Sequence, residues 1–211
     1  MNFKTTTPVS VSLLKEFVYE AKKQSFAKTE NKTILANQTS VYSYRPYWLD
    51  KFSAMIYTDM YNGNTIEGGQ EFVSIDLCIR WINQYYGGTK ISFWDTSKLT
   101  NDNQLKKIKK DKFPKYVSSF LKKALLELPI EFPVRGPKRY ITTEVIYEDN
   151  TINGDWEYKN EWKHVPIFNS TDPFISFVGE ESITFNGIEV YWHAYHGGLI
   201  RDKYYPLIIE K

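Results

Sequence analysis

Two twenty-residue stretches of this chain align with one another. Gly69–Gly88 (GQEFVSIDLCIRWINQYYGG) aligns without a gap with Gly179–Gly198 (GEESITFNGIEVYWHAYHGG), at a shift of 110 positions. Gly69/Gly179, Glu71/Glu181, Tyr85/Tyr195, Gly87/Gly197 and Gly88/Gly198 are identical. Val73/Ile183, Ile75/Phe185 and Trp81/Tyr191 agree in kind. Two copies are too few for a solenoid, which needs at least three repeats to bury a core. Half of a 211-residue chain is a small, marginal domain by itself. The expected architecture is therefore α+β: a duplicated helix-plus-antiparallel-strands unit with pseudo-twofold symmetry, its halves sharing one core.

The rest of the sequence fits two such units. Residues 9–27 carry Leu13, Leu14, Phe17, Val18 and Ala21 at helical spacing, with Ser10 or Ser12 as cap. Residues 114–128 repeat the pattern with Val117, Phe120, Leu121, Ala124, Leu125 and Leu128, opened by Pro114 and stopped by Pro129. Strand-type sequence follows each helix, over 40–95 and 139–209. Asn153-Gly154 and Asn186-Gly187 read as tight turns, and the two Gly-Gly pairs as strand ends. The first half then spans 1–95, a basic linker 96–112, and the second half 113–211. Residues 28–39 read as a polar, mobile connection.

Strand alternation gives the repeat its chemistry. Glu71 shares a face with Val73 and Ile75, and Glu181 with Ile183 and Phe185. Each unit thus turns one carboxylate toward its apolar side, where an unpartnered charge costs several kcal/mol or takes up a proton. Three outcomes are open. The carboxylates are satisfied internally, by Arg45 and Arg135 or by tyrosine hydroxyls. Or they anchor a cation, an amine or a sugar hydroxyl in an aromatic pocket. Or they act as an acid–base pair. For the pocket, Glu71 and Glu181 are the anchors, Tyr57, Tyr61, Trp81, Tyr85, Tyr191, Trp192 and Tyr195 the walls, and His196 a second polar contact.

Composition narrows the remaining classes. The net charge of +2 implies no partner by itself. The run Lys106-Lys107-Ile108-Lys109-Lys110 has neither interleaved aromatics nor an arginine fork, so nucleic acid is not expected. Residues 140–200 carry ten acids against Lys159 and Lys163, a possible docking surface through Glu157 and Glu161. Cys78 is the single cysteine, which excludes a disulfide framework and a thiolate metal cluster within the chain. His193 and His196 fall on opposite faces of a strand, a poor arrangement for a shared metal. Neither a dinucleotide or phosphate loop nor a serine nucleophile elbow is present. No apolar run spans a bilayer, and the first residues lack a signal core, so a cytoplasmic location is expected.

Several motifs occur together in one order. They are Phe17–Ala27 (FVYEAKKQSFA), Tyr57-x-Asp59-x-Tyr61-x-Gly63, Gly69-Gln70-Glu71, Phe120–Pro129 (FLKKALLELP), Arg135-Gly136-Pro137, Phe177-x-Gly179-x-Glu181 and Tyr195–Ile200 (YHGGLI). Over about residues 12–200 they resemble a bacterial domain-of-unknown-function family, number 5680. The resemblance carries no established activity. Some members follow a helix-turn-helix domain, which implies an effector-sensing role. The expectation is a non-enzymatic small-molecule-binding domain, effector-sensing or ligand-sequestering, that uses an aromatic pocket with buried carboxylates and no cofactor. A protein-interaction module using the acidic surface of 140–200 is the alternative. A hydrolase or transferase using Glu181 and His196 comes third.

Overall fold

The computed structural model describes residues 9–27, 32–35, 39–45, 55–63, 66–90, 112–166, 170–200 and 207–208. The basic run Lys106–Lys110 and nearly all of the expected 96–112 linker lie outside them. The chain runs β1 (Val9–Ser10), α1 (Val11–Ala27), β2 (Lys32–Ile34), β3 (Ser40–Tyr44), β4 (Met55–Gly63), β5 (Ile66–Ile75) and β6 (Cys78–Thr89). It continues with α2 (Phe113–Leu126), β7 (Arg139–Tyr147), β8 (Asn150–His164), β9 (Ser176–Phe185), β10 (Ile188–Leu199) and β11 (Leu207–Ile208). Expectation and structure agree on an α+β fold.

Nine strands form one antiparallel sheet in the order β2-β3-β4-β5-β6-β10-β9-β8-β7, while β1 and β11 pair in parallel. Both helices pack on the same face. From α1, Leu14, Phe17, Val18 and Ala21 meet Tyr57, Val73 and Trp81. From α2, Tyr116, Val117, Phe120 and Ala124 meet Trp156, Tyr158, Ile183 and Phe185. The helical periodicity seen in sequence is thus the periodicity of burial, and it is the main source of helix stability. Ser10 is the cap residue, its hydroxyl accepting from the Leu13 N–H at 3.1 Å.

The two aligned stretches become the hairpins β5–β6 and β9–β10, and they meet along the seam β6·β10. In that register Tyr85 faces Tyr195, the residues at matching positions of the two aligned stretches. The β9–β10 turn is Asn186-Gly187, both at positive φ, as the Asn-Gly pair requires. Its counterpart Asp76-Leu77 adopts the same backbone without a glycine, leaving Leu77 92% exposed.

Three sequence expectations are corrected. Asn153-Gly154 is not a turn. It lies inside β8, at the bulge where Thr142 pairs with Trp156 but Glu144 with Asn153. A Cβ on Gly154 would stand 2.3 Å from the Phe185 ring. The hairpin closes instead at Glu148-Asp149, because Tyr147 pairs with Asn150. The Gly-Gly pairs are not strand-ending turns. They lie within β6 and β10, where a Cβ on Gly87 or Gly197 would strike the facing backbone at 2.3 or 2.0 Å. Within 28–39, Lys32–Ile34 is a strand paired to β3.

Candidate functional site

On the helix side of the sheet, cross-strand pairing lines up two rows of polar side chains. The first is Asp59 (β4), Glu71 (β5) and Asn83 (β6). The second is Asn160 (β8), Glu181 (β9) and His193 (β10). Neighbours in such a row stand about 5 Å apart, within reach of one another. Each row runs on to a seam glycine, Gly197 for the first and Gly87 for the second. Glu71 and Glu181 are each 1% exposed.

The second row is closed. Arg135 comes from the segment after α2, and its Nη2 lies 2.6 Å from Glu181 Oε1 and 2.8 Å from His193 Nδ1. Tyr158 donates to Glu181 Oε2 at 2.6 Å and Tyr191 to Oε1 at 3.4 Å. Tyr195 donates to Asn160 Oδ1 at 2.5 Å, while Asn160 Nδ2 donates to the Gly136 carbonyl. Burial raises the Glu181 carboxyl, but the charge of Arg135 and the His193 and Tyr158 contacts outweigh it and hold the pKa at about 2. Burial and the same guanidinium push His193 below its ordinary value. Its Nδ1 also stands 3.1 Å from Glu181 Oε1. The guanidinium also lies over the Tyr85 and Tyr195 rings, at 5.4 and 6.0 Å.

The first row is arranged differently. Lys22 of α1, wholly buried, reaches Glu71 Oε2 at 2.6 Å and also donates to the Val134 carbonyl. Asn83 donates to the same Oε2 at 2.9 Å. Glu71 Oε1 has only Arg135 Nη1, at 3.9 Å. Tyr85 donates to Asp59 Oδ1 at 2.6 Å. The hydroxyl of Tyr57 and Oδ1 of Asn83, on side chains that are wholly buried, have no hydrogen-bond partner among the described residues. Burial and the Glu71 charge raise Asp59 to about 7, against the Tyr85 hydrogen bond and the charges of Lys22 and Arg135. Burial lowers Lys22, against the pull of Glu71. Asp59 is only partly buried, unlike both glutamates.

The repeat glycines Gly69 and Gly179 make room for this arrangement. A Cβ on Gly69 would stand 2.7 Å from the Tyr85 oxygen, and one on Gly179 2.4 Å from the Tyr195 ring. Glycine there lets each tyrosine lie flat across the neighbouring strand and bond Asp59 or Asn160 beyond it.

Tyr57, Tyr61, Trp81, Tyr85, Tyr191 and Tyr195 share the helix-side face with Glu71 and Glu181. Trp192 and His196 do not. Alternation along β10 buries Tyr191, His193 and Tyr195, so Trp192 and His196 turn to the opposite face. Trp192 there donates to Glu180 Oε2 at 3.1 Å. It helps line an open groove of about 660 Å³ over β8–β10, with Lys159, Glu161, Lys163, Val178 and Glu180. Of the two arginines expected to satisfy the carboxylates, Arg135 contacts both, while Arg45 is exposed. Lys22 fills the role expected of Arg45.

Four polar members of the rows, Asp59, Asn83, Asn160 and His193, are not among the site residues expected from sequence. Asp59 was legible from its alternation with Tyr57 and Tyr61, and Asn83/His193 from their equivalent place in the repeat. Asn160 became visible only through strand pairing. No group of three or more His, Cys, Asp or Glu side chains that could hold a metal occurs among the described residues, nor does a helix long and apolar enough to cross a membrane.

The model of one protein family, a domain of unknown function, matches residues 59–200. The chain belongs to that family, DUF5680. The matched span of this DUF5680 member begins at Asp59 and takes in both rows and Arg135. Lys22, the cation of the first row, stands on a helix that precedes it. No curated protein and no solved structure matches the chain.

Proposed function

We propose that this DUF5680 domain binds a small molecule without transforming it, at the first polar row, with Asp59 and Glu71 as anchors and Tyr57, Tyr61, Trp81 and Tyr85 as walls. One observation carries the reading. Among the described residues the two rows hold three carboxyl groups and only two cations, Lys22 and Arg135, and the carboxyl left over, Asp59, is the one still partly open to solvent. Glu181 is saturated by internal partners, and its role is to fix the seam. A duplicated ancestral unit accounts for the arrangement. The Tyr85–Tyr195 register, the equivalent rows and the gap-free repeat all support that origin.

The test is a thermal-shift and calorimetric screen of amines, metabolites and cationic drugs against wild type and Asp59→Asn. A ligand that stabilises wild type and loses about 10-fold or more in affinity on Asp59→Asn supports the reading. Equal response by both proteins, or none by wild type, overturns it.

A second reading, a protein-interaction module, draws on the open groove with its half-buried Trp192. Within the acidic segment Glu157 is already paired with Arg139 and Lys159 and Glu189 with Lys90, and Glu181 is buried, so Glu161 and Glu180 are the groove acids outside these ion pairs. Loss of a co-purifying partner on Glu161→Lys, with Asp59→Asn silent, would favour this module.

A further inference from the structure

The acceptors of the first row specify more than a generic ligand. Glu71 Oε2 is fully used by Lys22 and Asn83, and Asp59 Oδ1 by Tyr85. Three oxygens in the row, Asp59 Oδ2, Glu71 Oε1 and Asn83 Oδ1, accept no hydrogen bond from any described residue. All lie on one face of three adjacent strands. The Tyr57 hydroxyl, two residues from Asp59 along the same face of β4, is likewise unpartnered. The equivalent positions of the second row present no such set: Asn160 uses its amide on Gly136 and Tyr195, and Tyr158 is bonded to Glu181.

We propose that the ligand of the first row is a primary ammonium ion, its three N–H groups shared among Asp59, Glu71 and Asn83. The inference rests on the binding function proposed above and names its chemical class. An ammonium carries three donors and one charge, which matches three unused acceptors and one surplus carboxyl. A quaternary ammonium matches the charge but has no N–H. A neutral alcohol can satisfy an acceptor but leaves the surplus charge uncompensated. The tyrosine walls accept the cation's attached carbons and add attraction for the charge.

Proton release follows from what faces Asp59. Glu71 on β5 and the hydroxyls of Tyr57 and Tyr85 surround it, with Lys22 of α1 and Arg135 of the segment after α2 as the positive charges facing it among the described residues. Both of these charges already serve the glutamates. Without a third cation the carboxyl holds its proton up to about pH 7. A bound ammonium supplies that cation. Affinity therefore rises by ~10-fold per pH unit as the medium approaches neutrality from below, and levels off above it.

The experiment is calorimetric titration of the full chain with phenethylamine, its N,N,N-trimethyl derivative and 2-phenylethanol, at several pH values on either side of neutrality. The expected result is that phenethylamine binds ~10-fold or more tightly than either analogue, with a pH slope that disappears in Asp59→Asn. If the alcohol or the quaternary ion binds as well as the primary amine, the ammonium class is overturned while a ligand site at Asp59 survives. If phenethylamine binds but Asp59→Asn changes neither its affinity nor its pH slope, the location is overturned too. Absence of binding by all three at millimolar concentration overturns the inference. The pocket itself then stands or falls by the wider screen.

Discussion

The two polar rows of the seam occupy equivalent places in the sheet, yet they have opposite characters. In the second, the amide, carboxylate and imidazole all have partners, Arg135 Nε is the one atom of the clasp left over among the described residues, and the charge of Arg135 with the His193 and Tyr158 contacts holds the carboxylate at about 2. In the first, a lysine serves the glutamate from one side, a second carboxyl stands where the other row has an amide, and two buried polar atoms are left over. The same framework thus supports a closed electrostatic clasp and an unsaturated, acceptor-rich site. The difference turns on two substitutions between the rows, Asp59 for Asn160 and Asn83 for His193, and on one tyrosine hydroxyl that is bonded at Tyr158 and has no partner among the described residues at Tyr57. Function resides where satisfaction is incomplete, because a fully paired buried network has nothing to offer a ligand.

The largest way to break the contrast is to open the clasp. Arg135→Ala leaves Glu181 buried without its cation and takes the second positive charge from Glu71's surroundings. A loss of about 3–5 kcal/mol in urea unfolding is expected, the usual cost of removing one partner of a buried pair. The pH dependence has a definite sign. Glu181 has a folded pKa near 2 against 4.5, so its contribution is complete above about pH 4.5 and is lost as pH falls through 2. Arg135→Ala should abolish that acid limb. A variant as stable as wild type would mean that Tyr158 and His193 alone hold the carboxylate.

Next is conversion of the closed row into the open one. Asn160→Asp places a second carboxyl opposite Glu181 and removes the amide that donates to Gly136. A buried acceptor loses its donor and two acids face each other, so a destabilisation of about 3 kcal/mol at neutral pH is expected. Part of it should return as the medium is acidified and the new carboxyl takes up a proton. If the penalty were the same at all pH values, the lost Gly136 bond and not charge would be the cause.

The reverse change, Asp59→Asn, should stabilise. Asp59 has a folded pKa of about 7 against an ordinary 3.8. Between those values the unfolded chain has released its proton and the folded one has not, so stability falls as pH rises toward 7 and stays level beyond. An amide does not titrate. Wild type and variant should therefore be similar near pH 4, with the variant ahead by about 2 kcal/mol above pH 7, after discounting for the partial exposure of Asp59. Parallel stability–pH curves would sink the idea of an uncompensated carboxyl.

The frame of this contrast was legible in sequence, but the contrast itself was not, since Glu71 and Glu181 read there as equivalent anchors. The repeat and strand parity sufficed to turn Glu71 and Glu181 inward and to pick Arg135 as a partner. The helical stripes gave both helices to within about two residues. What failed depended on facts that one-dimensional spacing does not carry. Trp192 and His196 were grouped with Tyr191 and Tyr195 by type, although period-two alternation sets them on the other face. Gly154 looked like turn punctuation but relieves a clash with Phe185 at a bulge. Lys22, in a run of surface-like residues, gave no sign that its helix would bring it against Glu71. Asn160 lies 21 positions from Glu181 with no motif between them, and only the β8–β9 register joins them.

The finest comparison uses one oxygen atom. Tyr158→Phe removes a hydroxyl that donates to Glu181 at 2.6 Å, a bond to a charged acceptor worth about 1.5–3 kcal/mol. Tyr57→Phe removes an equally buried hydroxyl that is bonded to nothing among the described residues. The second change should shift stability by about 0.5 kcal/mol or less and could even stabilise, because an unsatisfied buried polar group is deleted. The two unfolding midpoints, taken side by side, measure how unequal the rows are. A Tyr57→Phe loss as large as that of Tyr158→Phe would mean that the first row is internally satisfied after all. A neutral Tyr57→Phe that also weakens phenethylamine would place that hydroxyl where the ligand, and not the fold, makes use of it.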